Sequence, residues 1–327
     1  TRRLTTQDRA KFKHWILCGM EGVDDLGTHL NEMSFFQPPP ATQWNVLSLG
    51  AGVQSSTLAL MAAQGEILPA PDFALFADTG AEPLEVYQWL KTLKNLINQS
   101  PHPFPVYTVK EGDLEEATTK VRISQGKGKK PKGESYLKRI IPMFGRQPDG
   151  SMTAALGRSC TADYKIKPIH KFIKKHCGIK RGQKEITVTE WIGISWDEIQ
   201  RAKISRVAYM QKRYPLLEQK ITRSTCLHWI EKNSFPTPPR SACYFCPFHS
   251  DREWRSLRDK DPEHFSKAIS YDTRLREAFA KNDKFTDMTM YLHRSCRPLK
   301  EIDFDNDEDK GQQTWDFQAE CEGMCGV

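Results

Sequence analysis

The chain has 327 residues, which is enough for one large domain or two ordinary ones with a substantial core. Its longest apolar runs are far shorter than the ~20 residues of a membrane-spanning helix, which excludes an integral membrane protein. The sequence has 48 Lys and Arg against 41 Asp and Glu, and this formal net charge of +7 permits a polyanionic partner without requiring one.

The nine cysteines are the more specific signal in the composition. An odd number of cysteines in a long chain argues against a disulfide scaffold. The first residues also contain no apolar signal segment. We therefore expect a reduced, cytoplasmic protein that carries a metal site or reactive thiols.

Short alternating elements follow an N-terminal extension, residues 1–43, in which a helix is predicted near residues 8–19. Strands are predicted at residues 45–49, 72–77 and 106–110, and helices at residues 55–64 and 83–98. This alternation is typical of a parallel sheet with right-handed crossovers. The sequence therefore predicts an α/β domain with a Rossmann-like parallel sheet over residues 44–214, with helices on both faces of the sheet.

The later part of the chain is more varied. Residues 120–139 are rich in Lys, Arg and Gly and predict a mobile basic loop. A helix is predicted at residues 168–176 and a strand at residues 185–194. Residues 215–327 are predicted to form a smaller, mostly helical, cysteine-bearing region with an acidic loop at residues 301–309.

A glycine- and serine-rich turn connects the first predicted strand to the following helix. Small residues let backbone N–H groups approach an anion, the serines add hydroxyl donors, and the helix N-terminus adds a positive dipole. The turn lacks the Gly-Lys-Ser/Thr ending of a Walker loop and the spacing of the dinucleotide fingerprint. An ordinary tight turn is the alternative. The candidate phosphate-binding residues are Ser48, Gly50, Ala51, Gly52, Val53, Gln54, Ser55 and Ser56.

Further candidate ligand-binding residues lie along the same domain. Asp78, Thr79 and Gly80 follow the second predicted strand, where an open α/β sheet binds its ligands. Helix capping is the alternative role for Asp78. The candidate cations for phosphate groups are Lys165, Arg201 and Arg206. A solvated basic surface is the alternative role for each of these cations.

The cysteines contain one pair with the spacing of a metal site. Cys243 and Cys246 are two residues apart, so both thiolates can reach one metal ion or one cluster edge. Cys226 and Cys160 could bring the set to four thiolates. Four thiolates satisfy a tetrahedral zinc ion or a [4Fe–4S] cluster, and the spacing does not choose between them. Plain buried cysteines are a third reading.

The last residues carry two more cysteines, Cys321 and Cys325, among glycines. A cysteine on a flexible tail can enter a site and act as a nucleophile or carry sulfur. A disordered tail with incidental cysteines is the alternative.

Four segments in order resemble the PP-loop adenine nucleotide α-hydrolase superfamily, and in particular its phosphoadenylyl-sulfate (PAPS) reductase branch. The glycine-rich turn resembles the pyrophosphate loop, and residues 78–82 resemble the Asp-Thr-Gly-x-Glu segment. Residues 158–168 resemble the cysteine-containing segment, and residues 191–201 resemble the strand and loop that end in a nucleotide-facing arginine. The chain's end resembles the Glu-Cys-Gly tail of the reductases. The turn departs from the family pattern at Ala51, where a glycine is usual, and at Gln54, where many members have Asp.

This resemblance implies a HUP-type, PP-loop fold that binds ATP or PAPS with Mg²⁺. It also favours a [4Fe–4S] cluster over zinc on the four candidate cysteines. The function it implies is adenylation of an acceptor, expected to be a nucleic acid held by the basic loop, followed by sulfur transfer from a sulfur donor. A PAPS or adenylyl-sulfate reductase served by a thioredoxin-like protein is the first alternative. A non-catalytic nucleotide-binding subunit of a DNA-modification or defence complex is the second.

Overall fold

The computed structural model describes residues 37–126, 131–153, 156–282 and 288–305. Its strands are β1 (Trp44–Leu49), β2 (Phe73–Ala77), β3 (Val106–Val109), β4 (Val121–Ile123), β5 (Ser135–Leu137), β6 (Phe144–Arg146), β7 (Met152–Thr153), β8 (Val188–Ile192), β9 (Met210–Arg213) and β10 (Thr289–Tyr291). Its α-helices are α1 (Val53–Gln64), α2 (Leu84–Asn98), α3 (Leu114–Thr119), α4 (Lys167–His176), α5 (Pro215–Glu218), α6 (Arg223–Lys232), α7 (Asp251–Lys260) and α8 (Pro262–Asn282). A π-helix, Thr161–Ile166, runs directly into α4, and a 3₁₀-helix, Trp196–Arg201, follows β8.

Five parallel strands form the central sheet in the order β3-β2-β1-β8-β9. The α/β class and the Rossmann-like parallel sheet expected from the sequence are therefore confirmed. Val46 and Leu47 are both fully buried, one against each face, as in a sheet covered by helices on both sides. The chain moves from β1 toward β3 in one direction and returns to β8 on the other side of β1. The carboxyl ends of β1 and β8 thus form the switch point at which open sheets bind ligands.

Two hydrophobic cores lie on the sheet itself. Helices α1, α2 and α6 cover one face, where Leu58, Trp89 and Ile230 are buried. Helix α4 covers the other face, where Ile169 and Ile173 pack on side chains of β1, β2 and β8. Because α6 packs on α1, the hydrophobic cores do not divide at the expected boundary between residues 214 and 215.

A further core joins two segments that are distant in sequence. Leu114, Ile140 and Met143 from the connection between β3 and α4 pack with Phe245 and Tyr271 from the C-terminal part of the chain. Strand β10 also pairs antiparallel with β6 from that connection. The C-terminal helices therefore fold against an insertion of the α/β domain.

The segment predicted as a mobile basic loop, residues 120–139, contains two short strands. Strands β4 and β5 pair antiparallel, with Val121 opposite Leu137 and Ile123 opposite Ser135. Leu137 is buried in the shared core, which ties the base of this hairpin to the protein.

Several predictions lie outside the described residues. They are the helix near residues 8–19, the tip of the hairpin at 127–130, the end of the acidic loop, and the tail with Cys321 and Cys325. No helix within the described ranges is long and apolar enough to cross a membrane.

Candidate nucleotide and thiol site

The turn between β1 and α1 lies at the switch point of the sheet. Gly52 is the N-cap of α1 in an extended conformation and gives the helix no side-chain cap. The first backbone N–H groups of α1 therefore point toward the end of β1, where the helix dipole favours an anion. Ala51 has φ = +61°, in the left-handed region, so it follows the backbone path of the usual glycine with some strain.

The end of β8 passes the start of α1 with no space for a side chain. A Cβ on Gly193 would lie 2.8 Å from Ser55 Cα and 2.9 Å from Ser55 N. Real Cβ atoms do not approach backbone this closely, so only glycine lets α1 begin here. Gly193 is a site-forming residue that sequence reasoning missed. The signal that could have indicated it is a glycine at the end of a predicted buried strand.

The serines of the turn divide into two kinds. Ser48 Oγ donates to Glu190 Oε1 at 2.7 Å, and Ser56 Oγ accepts from Trp89 Nε1 at 2.9 Å. Both hydroxyls are buried and used inside the protein, so their predicted role as phosphate ligands does not match their contacts. Ser55 is only partly buried, and its Oγ makes a long 3.4 Å contact with Gly52 O. Among the three, Ser55 is the hydroxyl best placed for a phosphate.

Gln54 is also engaged inside the protein. Its Nε2 donates to Glu198 Oε2 at 3.2 Å, and its Oε1 accepts from Arg223 Nη1 at 2.9 Å. Glu198 in turn pairs with Arg201 at 2.6 Å. Gln54 therefore fastens α1 to the 3₁₀-helix and to α6. An Asp at this position would place a carboxylate near Glu198, which gives a physical reason for the departure from the family pattern.

Asp78 shapes the turn that follows β2. Its Oδ1 accepts from Gly80 N and from Tyr87 Oη, both at 2.8 Å. Gly80 has φ = +75°, so the turn needs glycine at this position. The N-cap of α2 is Pro83, which shows that the alternative role of Asp78 as a helix cap is wrong.

The Cys-x-x-Cys segment docks directly on the end of β2. Tyr244 N donates to Ala81 O at 2.8 Å, and Thr79 Oγ1 lies 3.4 Å from Cys243 Sγ. A small cavity of about 40 Å³ forms at this junction. It is lined by Thr79, Cys160, Lys165, Cys243 and Cys246 together with apolar side chains such as Leu114, Ile141 and Phe245. Three of the four candidate metal ligands therefore meet at one cavity, and burial raises the pKa of the Cys160 and Cys243 thiols.

A buried carboxyl anchors the wall of this cysteine cavity. Glu82 is 1% exposed, accepts from Ser241 Oγ at 3.2 Å, and has Oε1 3.8 Å from Lys165 Nζ. Burial raises the pKa of Glu82 above its ordinary value, against the opposing effect of Lys165. Lys165, predicted to contact phosphates, thus stands beside the cysteines.

Cys226, the predicted fourth ligand, does not line this cavity. It is fully buried on α6, in the core against α1. No group of three or more His, Cys, Asp or Glu side chains within the described residues is arranged to hold a metal ion. Cys160, Cys243 and Cys246 line one cavity, and their side chains would have to turn toward one point to hold a metal ion or cluster.

The three candidate cations lie at different places. Arg201 reaches the start of α1 through Glu198, whereas Lys165 lies at the cysteine cavity. Arg206 is exposed. It lies near Lys212, on the face of the sheet that α4 covers, and the positive charge of Arg206 helps to lower the pKa of Lys212. The structure therefore does not gather them around one phosphate position.

Comparisons with protein-family models and with curated proteins found no relative of this chain. No known protein-family model matches the chain, and no curated protein matches its sequence significantly.

Proposed function

We propose that the protein is a PP-loop ATP pyrophosphatase-like enzyme of sulfur metabolism. In this proposal the turn between β1 and α1 holds the phosphates of ATP, an acceptor is adenylated with release of pyrophosphate, and a sulfur group then replaces the adenylate. The acceptor is a nucleic acid. The contact between Thr79 and Cys243 carries the proposal, because it joins the ligand-binding edge of the sheet to the cysteine cavity.

The chain's own residues have distinct roles in this scheme. The N–H groups at the start of α1 and the Ser55 hydroxyl would bind phosphate oxygens. Lys165 would supply positive charge near the point where sulfur approaches, held in place by Glu82. Cys160 and Cys243 would bind the sulfur-handling group, or accept the outer sulfur of a persulfide donor, whose thiol is then released. Cys321 or Cys325 would relay it.

The cofactors belong to the same proposal. Mg²⁺ would accompany the ATP phosphates, because this hard cation binds oxygen ligands. A [4Fe–4S] cluster, or zinc in its place, would use Cys160, Cys243 and Cys246 and would supply a soft site for sulfur. A reducing, cytoplasmic setting fits a chain of nine cysteines with no disulfide among its described residues.

Two alternative functions are each supported by a separate observation. The position of Asp78, Thr79 and Gly80 beside the cysteines also suits a PAPS reductase, in which a thiol attacks the sulfur of the bound nucleotide. The internal contacts of Gln54 and the left-handed Ala51 suit a subunit that binds nucleotide without turnover.

One set of assays separates the three. Anaerobically purified protein is given ATP, with and without a mixed nucleic-acid pool, and pyrophosphate is measured; PAPS with a thioredoxin is tested in parallel for sulfite. We expect pyrophosphate to be released from ATP, and we expect nucleic acid to stimulate this release. Sulfite from PAPS without pyrophosphate from ATP would replace the proposal by the reductase, and binding of nucleotide with neither product would replace it by the binding subunit. Iron, zinc and sulfide contents of the same sample test the cluster.

A further inference from the structure

Helix α4 presents a basic stripe on the outside of the sheet. Lys167, Lys171, Lys174 and Lys175 recur at helical spacing and are exposed. Their span of eight residues corresponds to about 12 Å along the helix axis. Residues 167–184 contain seven Lys and Arg and no Asp or Glu. Residues 120–139 contain eight Lys and Arg and one acidic residue, Glu134, so the two segments carry the same formal net charge of +7.

The lysines of this stripe are largely unneutralised. Lys167 pairs with Glu111. Within the described residues, Lys171, Lys174 and Lys175 take part in no ion pair, and Lys174 lies over the ring of Tyr209 at 5.9 Å. An uncompensated row of this kind favours a polyanion, because binding releases the counterions of that polyanion.

A groove accompanies the stripe. Its volume is about 690 Å³, and the residues that line it include His170, Lys171 and Lys174. Lys212, opposite Glu190 in the sheet register, extends the positive charge to the strand side, where Lys203 and Arg206 add to the field. The residues that line the groove all lie on the π-helix and α4, and Lys212 adds positive charge nearby without lining it.

Aromatic rings border the same helix on its other side. Tyr107, on the edge strand β3, is 37% exposed, and its ring lies 5.2 Å from that of Phe172. The ring of His176 stacks on Phe172 at 5.2 Å with an interplanar angle of 15°, and His176 is exposed. Exposed rings beside a positive groove are the combination that binds unpaired bases and their backbone together.

The stripe leads to the candidate site. Lys167 begins α4, and the π-helix before it carries Lys165, next to Cys160 in the wall of the cysteine cavity. Trp44 and Phe73, at the start of β1 and β2, contact His176 at the other end of α4. The basic stripe therefore runs along the sheet from the amino ends of the strands to the carboxyl ends, where the site lies.

We propose that α4, with Tyr107 and His176, is the docking surface for single-stranded nucleic acid, and that it guides the strand to the cysteine cavity. The proposal names the acceptor surface of the function proposed above and rests on it for the reaction. Binding by α4 is independent of nucleotide turnover, so the two proposals can fail separately.

The test is a fluorescence anisotropy titration of the full chain, without ATP, against a labelled oligothymidine of about 16 nucleotides. A charge-reversal variant changes Lys171, Lys174 and Lys175 to Glu. We expect at least a tenfold loss of affinity near 100 mM salt and a decrease of about 2 in the slope of log K against log salt, since each lost phosphate contact contributes about 0.7.

Matched variants keep the test specific. Changing the exposed Lys91, Lys232 and Lys260 to Glu alters the net charge equally and should leave affinity within about twofold. Tyr107→Ala should weaken binding about five- to tenfold without changing the salt slope, as a stacking contact does. Urea unfolding of each variant confirms that it is folded.

Three results would overturn the proposal: no binding of oligothymidine by the wild-type chain near 50 mM salt, equal losses in the α4 and control variants, or tighter binding of a duplex of the same length. Loss of binding in a Lys120→Glu, Lys132→Glu variant but not in the α4 variant would also overturn it, and would assign the surface to the hairpin. Binding that follows the expected pattern, with no pyrophosphate release, would keep this inference and reject only the proposed reaction.

Discussion

The two halves of the candidate site are built in opposite ways. The turn between β1 and α1 is one continuous segment, and most of its side chains, such as Ser48, Gln54 and Ser56, are engaged with the protein. The cysteine cavity is assembled from five separate segments, around residues 79, 114, 141, 160 and 243. The comparison indicates that the turn offers backbone groups to a ligand, whereas the cavity offers side chains.

The largest expected effect is on the packing that fixes the turn. Gly193→Ala places a Cβ within 3 Å of Ser55 backbone atoms, so α1 must shift. We expect a loss of about 3 kcal/mol of stability, at the upper end of overpacking, and loss of nucleotide binding. Urea unfolding and calorimetric titration with ATP measure the two effects.

Gly157→Ala is the matched control, because a Cβ added at Gly157 would meet no atom within 4 Å and its φ is not in the left-handed region. It should change neither quantity. Normal nucleotide affinity in Gly193→Ala would show that the turn does not depend on the approach of β8.

The second-largest effect is on the stability of the folded protein at acid pH, through His249 near the cysteine cavity. Burial, with Arg240 nearby, lowers the pKa of His249 to about 3 from an ordinary 6.5. The folded protein then binds fewer protons than the unfolded chain below pH 6.5, so stability decreases as pH falls from 6.5 toward 3. At two pH units below 6.5, this histidine lowers the free energy of unfolding by about 2–3 kcal/mol.

Urea midpoints measured between pH 7 and 4.5 check this prediction. His249→Phe should flatten the pH dependence, and His228→Gln, at an exposed histidine, should leave it as in the wild type. An unchanged slope in His249→Phe would contradict the assignment.

The third effect separates ligand contacts from internal contacts in the turn. Ser56→Ala leaves Trp89 Nε1 without its acceptor and should cost about 1–2 kcal/mol of stability. Ser55→Ala should leave stability unchanged and weaken ATP or PAPS binding about fivefold, as loss of one charge-assisted hydrogen bond does. The reverse pattern in unfolding and titration data would assign the phosphate contact to Ser56.

The smallest effect distinguishes the cysteines. Cys226→Ala should cost on the order of 1 kcal/mol by opening a small void in the core. It should leave the iron or zinc content per chain unchanged, whereas Cys243→Ala should lower that content to background. Equal metal loss in both variants, measured by elemental analysis, would return Cys226 to the ligand set.

The sequence predicts the central sheet well, because buried β-rich runs and helical runs alternate over short distances. It also places the turn and residues 78–80 at the ends of strands, because the order of elements along the chain is sufficient to predict these positions. It cannot place Cys226, since the spacing to Cys243 carries no information about the packing of α6 on α1. The bond from Ser48 to Glu190 spans 142 residues and has no local signal either. The pairing of β4 with β5 was missed because the lysines and glycines of the hairpin conceal its two short strands.

The central claim is that a nucleotide bound at the switch point lies beside the cysteine cavity. Site-resolved alkylation of the chelator-treated, reduced protein, followed by mass spectrometry, tests it directly. ATP or PAPS at saturation should slow modification of Cys160 and Cys243 at least tenfold, while Cys177, half-buried beside α4, serves as the internal control and keeps its rate. Nucleotide that binds and leaves all three rates unchanged, or slows all three equally, would contradict the account.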